Sequence, residues 1–174
     1  MAVIPFRQLP FRRLPELPRA PHPWYDLPTQ RIAVPTDTLG TVDTAFKTEG
    51  SGPPLLLIHG LMTSGYSWRY LIEPLGKRYT LYIPDLVGAG HSEKVDAPYT
   101  PNAMADFIGD FADAVGIAGC PIIGNSLGGY LAMRLALRRA PVMSKLVNLH
   151  SPGIPLPRIR LLRAAMSLPA SYRI

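Results

Sequence analysis

Leu55-Leu56-Leu57-Ile58 is an unbroken apolar run, entered from the turn cluster Gly50-Ser51-Gly52-Pro53-Pro54 and left through His59-Gly60. A strand without polar alternation has both faces covered, the condition of a central strand in a parallel sheet. Three further short buried-strand candidates follow at residues 79–83, 121–123 and 145–149, each separated from the last by a helix-length segment or a glycine-bearing turn. Strands alternating with helices through short links, with crossovers of the usual right hand, predict an α/β chain with a mostly parallel sheet flanked by helices.

The helices are legible from their spacing. Thr100-Pro101 opens a predicted helix over residues 102–115, in which Met104, Phe107, Ile108, Phe111 and Val115 recur every three or four positions. A second helix is predicted over residues 127–139, with Leu131, Ala132 and Leu135 on its apolar side and Pro141 stopping it. Ahead of the first apolar run, residues 31–34 and 41–47 read as a hairpin joined through Asp37 and Gly40. Residues 1–30 repeat a Leu-Pro pairing at Leu9, Leu14, Leu17 and Leu27, and read as an extended, surface-draped arm with no assigned function. The expected division is therefore 1–30 proline-rich arm, 31–155 core, and 156–174 the beginning of a further segment.

Composition narrows the classes. The chain has 174 residues, 47% hydrophobic and 17% charged, enough to bury one substantial core. No uninterrupted apolar run reaches membrane-spanning length and Pro and Arg break up the first residues, so neither a span nor a secretory leader is expected, and a cytoplasmic location is. Cys120 reads as a small buried hydrophobe. The net charge of +6 is uneven: residues 1–113 hold ten Lys/Arg and all twelve Asp/Glu, whereas residues 114–174 hold eight Lys/Arg and no acid. Arg134, Arg138, Arg139 and Lys145 lie on helix-like or strand-end segments without interleaved aromatics, so a solvated or partner-facing surface is expected and no nucleic-acid site. No metal constellation, phosphate loop or dinucleotide fingerprint is visible, and no cofactor is implied.

The chemistry points to Gly124-Asn125-Ser126-Leu127-Gly128-Gly129, which joins a strand candidate to a helix candidate. A sharp strand-to-helix turn would lift the Ser126 hydroxyl above the carboxyl end of the sheet, with Gly124 and Gly128 relieving the crowding. Amides of the first helical turn would then face a developing oxyanion. The plainer alternative is a glycine-rich helix start with Ser126 as its N-cap. His59-Gly60 after the first apolar strand supplies a second flexible turn at the same sheet end, where the amide of Leu61 could pair with that of Leu127. Asp85-Leu86-Val87-Gly88-Ala89-Gly90-His91-Ser92 after the next strand supplies a third loop at that rim.

Taken in order, HG after the third strand, D-x-x-G-x-G-x-S after the fourth and the nucleophile elbow after the fifth resemble the α/β-hydrolase superfamily over residues 31–155. The resemblance implies Ser126 as a nucleophile forming an acyl-enzyme, the amides of Leu61 and Leu127 as an oxyanion hole, and His59, Gly60, Gly124, Asn125 and Gly128 as supporting motif residues. A serine in place of an aspartate argues against the ester intermediates of the related dehalogenases and epoxide hydrolases. The implied substrate is a small ester or other acyl compound; the Asn125-Ser126 pair also looks like that of carbon-carbon bond hydrolases of ring-cleavage products.

In this family the triad acid and histidine follow the serine, yet no Asp or Glu lies after Ser126, and His150 at the end of the last strand candidate reads as structural or substrate-facing. The expectation is a partial α/β-hydrolase fold, truncated before the last strands and most of the cap, whose serine lacks its base, so that this chain alone is expected to be inactive. Its last strand should present an unpaired edge open to self-association. Two alternatives remain open at this point: a non-catalytic binding or interaction protein on half a hydrolase fold, and a haloperoxidase or acyltransferase using the same serine.

Overall fold

A computed structural model of the chain describes residues 21–139 and 142–151. The N-terminal hairpin is β1 (Gln30–Thr36) and β2 (Gly40–Glu49), longer than the β-prone stretches suggest because the antiparallel ladder runs from Gln30↔Phe46 to Thr36↔Gly40. The apolar run forms β3 (Pro54–Ile58), followed by a short helix α1 (Ile72–Gly76), β4 (Thr80–Pro84), α2 (Pro101–Ala114), β5 (Ile122–Asn125), α3 (Leu127–Arg138) and β6 (Leu146–Leu149). Thr100 caps α2 by accepting from the Ala103 amide, with Pro101 in the first turn.

The six strands lie in the order β1-β2-β4-β3-β5-β6. β2 runs antiparallel to both neighbours, whereas the β4-β3, β3-β5 and β5-β6 pairs are parallel. The result is a mostly parallel sheet with an antiparallel edge. From β3 the chain steps to β4 on one side, then returns across β3 to β5 on the other. Connections leaving β3 and β5 thus diverge, and a crevice opens beyond their carboxyl ends, where open α/β sheets bind ligands.

The continuous apolar character of β3 has a direct cause. Its alternate side chains enter two different cores, one on each face of the sheet. Leu56 and Ile58 join Val42, Ile122, Phe107, Phe111, Leu131 and Leu135 beneath α2 and α3. Leu55 and Leu57 join Trp24, Trp68, Ile72, Leu81 and Ile83 on the other face. Phe111 meets Phe46 edge-on, with ring centroids 5.4 Å apart, locking α2 to the hairpin.

Three sequence expectations change. The strand candidate at 145–149 is not buried: β6 is the sheet edge, with Val147 and Leu149 exposed, because no described element covers its outer side. The end of the proline-rich segment is not a draped arm. Residues 23–25 form a 3-10 turn started by Pro23, and Trp24 is only 8% exposed, drawn in by the second core; residues 1–20 lie outside the described residues, as does the helix-like stretch at 158–168. The arginines of α3 do not form a free basic surface. Arg134 donates to Asn102 Oδ1 at 2.6 Å, Arg138 pairs with Asp106 at 2.7 Å, and Arg139 pairs with Asp110 at 2.7 Å, so α3 is matched to polar groups on α2.

Burial raises the Asp110 carboxyl above its ordinary range, opposed by the hydrogen bond from Arg139. Arg139→Ala leaves that carboxylate without its donor and is expected to lose about 1–3 kcal/mol in urea unfolding, more than Arg138→Ala at a more exposed site. An acid with a raised folded pKa binds protons more tightly folded than unfolded, so its unfavourable effect grows as pH rises through the carboxylate range. The Arg139→Ala penalty should accordingly shrink on acidification.

Candidate active site

β5 pairs with β3 in the register Ile58↔Gly124, so the turn leaving β3 and the turn entering α3 stand side by side. Ser126 sits between β5 and α3 with φ +51° and ψ −116°. A side-chain-bearing residue in that region costs on the order of 1–3 kcal/mol and persists only where its surroundings fix it. Here the Ser126 amide donates to Leu149 O at 2.7 Å, tying the turn to the end of β6. Ser126 holds the N-cap position of α3, yet its side chain makes no capping hydrogen bond, which removes the plainer reading of this serine.

The glycines act by close approach. A Cβ on Gly128 would lie 2.3 Å from Ile58 O and 2.6 Å from His59 O, and one on Gly124 would lie 2.6 Å from the Gly128 carbonyl. Gly129, which the motif reading left without a role, is equally confined: a Cβ there would lie 2.2 Å from Asn148 Oδ1. Its only sequence signal is a second glycine directly after the motif.

Gly60 completes the juxtaposition, since a Cβ built on it would lie 3.2 Å from Ser126 Cβ. The adjoining His59 is only 1% exposed. Its Nε2 accepts from the Leu86 amide at 2.9 Å, which places the proton on Nδ1, and Nδ1–H donates to Gly60 O at 2.8 Å. Burial pushes the His59 pKa down, in keeping with a neutral ring. With both nitrogens committed, His59 serves as a link between the β3 and β4 turns. Gly60 O belongs to the same planar peptide as the Leu61 amide, so the bond from His59 also limits where that N–H can point.

Asp85 makes the second link. Its Oδ1 accepts from the Gly65 amide and its Oδ2 from the His91 amide, each at 2.8 Å, while Ser92 Oγ donates to Asp85 O at 2.7 Å and accepts from the Ala45 amide. The sequence marks Asp85 and Ser92 as the two ends of the D-x-x-G-x-G-x-S motif without giving either a role. Their burial shows that they fasten the loop to both β2 and the preceding turn.

A cavity of about 780 Å³ lies beside this arrangement. Its wall runs from residues 59–64 to residues 86–90, and on to Tyr99, Met104, Leu127 and Leu131, and is mainly apolar. Gly60 and Leu127, which flank Ser126, line it, whereas Ser126 itself is not among the lining residues. Leu61 and Met62 stand at the rim, 70% and 97% exposed, and Met62 has φ +57°. His150, at φ +52°, follows β6; among the described residues no hydrogen bond joins its ring to Ser126 or to a carboxylate. Among the described residues, too, no cluster of three or more His, Cys, Asp or Glu could hold a metal ion, and no helix is long and apolar enough to cross a membrane.

The fold and this arrangement define a hydrolase scaffold, and the chain belongs to the alpha/beta hydrolase fold family, whose sequence profile matches residues 53–171. It is similar to a 2-hydroxymuconate semialdehyde hydrolase of Pseudomonas, 33% identical over 120 residues, which cover 67% of this chain and 42% of the relative. A soluble epoxide hydrolase of Corynebacterium is 34% identical over 110 residues, covering 63% of this chain and 38% of the relative. Among solved structures, a thermophilic esterase from Thermogutta terrifontis superposes with a TM-score of 0.71 at 29% identity, over 79% of this chain and 52% of that one. The chain thus spans about two fifths of the length of the curated relatives it matches. These relatives are hydrolases, and their named reactions differ.

Two outcomes follow from the packing. Gly128→Ala forces a methyl group onto two backbone carbonyls that cannot swing aside, and is expected to cost about 3 kcal/mol or more in chemical denaturation. Because His59 is held neutral with a lowered pKa, the unfolded chain takes up its proton first, and stability should fall as pH drops below about 6.5. Unfolding titrations of His59→Gln should show a shallower loss over the same acid range.

Proposed function

We propose that Ser126 is the nucleophile of a serine hydrolase acting on ester or related acyl bonds. The observation that carries the reading is the strained backbone of Ser126 at the β5–α3 turn, with a hydroxyl free of capping duty and Gly60 packed against it. In the proposed reaction the Ser126 oxygen adds to the acyl carbonyl carbon as its proton passes to solvent water, and the tetrahedral oxyanion is met by the amides of Leu61 and Leu127. Collapse expels the leaving group, which takes up a proton from water, and a second water hydrolyses the resulting acyl-enzyme to the acid and free Ser126. Gly124, Gly128 and Asn125 hold the elbow, and His59 and Gly60 hold the opposite turn. The mainly apolar wall formed by Leu86, Val87, Met104 and Leu131 supports an uncharged, hydrocarbon-rich acyl group.

No group among the described residues is positioned to take the proton from Ser126, so the proposal assigns the nucleophile and the oxyanion donors but no general base. This chain alone is expected to react slowly, retaining the contributions of binding and the oxyanion hole. Ser126 also distinguishes the proposal from epoxide opening through a carboxylate ester, whose nucleophile would be an aspartate at this position.

The test is covalent labelling of the purified chain with ethyl and octyl fluorophosphonates, read by intact mass. One adduct per chain, absent from Ser126→Ala and forming roughly tenfold faster with the octyl reagent, is the expected result. A folded chain that gains no adduct, or that gains one equally after Ser126→Ala, overturns the assignment of the nucleophile.

A further inference from the structure

The turn at residues 59–65 carries Leu61; Leu61 and Met62 are exposed, while Thr63 Oγ1 and Ser67 Oγ share a hydrogen bond of 2.6 Å and Ser64 O accepts from the Ser67 amide. The exposed pair is therefore positioned from His59 on one side and from the Thr63–Ser67 segment on the other. His59 fixes the first end through Leu86 and Gly60. The second end is Gly65, where a side chain has no room: a Cβ there would lie 2.7 Å from Trp24 Cη2, 3.0 Å from Ile83 Cγ2 and 3.4 Å from Asp85 Oδ1. The indole thus closes the space behind Gly65, keeping its amide on Asp85 Oδ1.

Trp24 belongs to a segment ahead of β1, and contacts with Lys47, Tyr66 and Tyr70 hold that segment in place. Lys47 donates to Leu27 O, and its ammonium lies 5.1 Å from the Trp24 ring centroid. The His22 ring meets Tyr66 and Tyr70 edge-on, each at 5.5 Å between centroids, and Tyr66 Oη lies 3.3 Å from His22 Nε2. The Trp24 and Tyr66 rings meet edge-on at 6.0 Å. Residues 22–27 are consequently fastened to β2 and to the residues directly after the turn, while Trp24 itself lines no part of the cavity.

We infer that Trp24 is a positioning residue for the turn that carries Leu61, bracing the Gly65 end of residues 59–65 and so setting the distance of the Leu61 amide from Ser126. Its effect on reactivity rests on the proposed role of Leu61 as an oxyanion donor; the bracing itself does not. Loss of the indole frees Gly65 from behind, and the oxyanion geometry suffers before the apolar wall of the cavity does.

The experiment compares the wild-type chain with Trp24→Ala, Trp24→Phe and Lys47→Met, by hydrogen exchange with mass spectrometry and by the rate of octyl fluorophosphonate labelling. For Trp24→Ala, amide exchange in residues 59–68 should rise about tenfold or more, while α2 and α3 stay within about twofold of wild type. Labelling should slow by roughly tenfold or more, and Trp24→Phe should restore most of both properties. Lys47→Met, which loosens the indole without emptying its site, should give the same local exchange pattern at a smaller size, and it decides the matter if Trp24→Ala does not fold. Unchanged exchange in residues 59–68, or a uniform rise across the whole chain, overturns the bracing. Wild-type speed of labelling in a variant with the local exchange change overturns the link to Leu61. A wild-type chain that never labels at Ser126 sinks the proposed function instead, and the exchange pattern alone then decides the bracing.

Discussion

The arrangement depends on one backbone contact, the first turn of α3 pressed against the last carbonyls of β3. Gly128 makes this possible by having no side chain where Ile58 O and His59 O stand, and Gly124 lets the helix turn back over its own strand. Because β3 and β5 are hydrogen-bonded in register, that contact also fixes how close Gly60 comes to Ser126. The positive φ of Ser126 follows from these constraints, since a strand and a helix so close can be joined only through a sharp turn. Packing elsewhere in the molecule secures this approach: α2 and α3 hold one face of β3, and Trp24, Trp68 and Ile72 hold the other.

The two loops beside the elbow are organised by buried polar side chains bonded to backbone. His59 joins the β3 turn to the β4 turn, and Asp85 joins the β4 loop back to Gly65. Each ties segments twenty or more residues apart in sequence. Such links suit a site that must be open to a ligand on one side, since the loops gain rigidity from beneath without filling the cavity.

The order of strands and helices was legible in the sequence because apolar runs and helical spacing are local signals, and observed boundaries differ from expectation by a residue or two in the central elements. The three motifs were legible as well, and the structure brings Ser126, Gly60 and His59 to the same end of the sheet. What escaped the sequence depends on distant partners. Trp24 lies in a proline-rich stretch that reads as an arm, and only Gly65, Ile83 and Lys47 show why it is inside. Counting charges by halves set the acids of α2 apart from the bases of α3, although Asp106 and Asp110 face Arg138 and Arg139 across a helix pair. The edge position of β6 matches the unpaired last strand expected from the sequence, whereas the exposure of Val147 and Leu149 does not match its reading as a buried strand.

Cys120, 4% exposed between α2 and β5, has a thiol pushed up to about 11 by burial. At neutral pH roughly one molecule in ten thousand would carry the reactive thiolate there. The described residues therefore contain no disulfide, and their one thiol is buried and held in its protonated form. The cohesion of the fold comes from close packing, from backbone and side-chain hydrogen bonds and from the ion pairs between α2 and α3, with no covalent cross-link among the described residues.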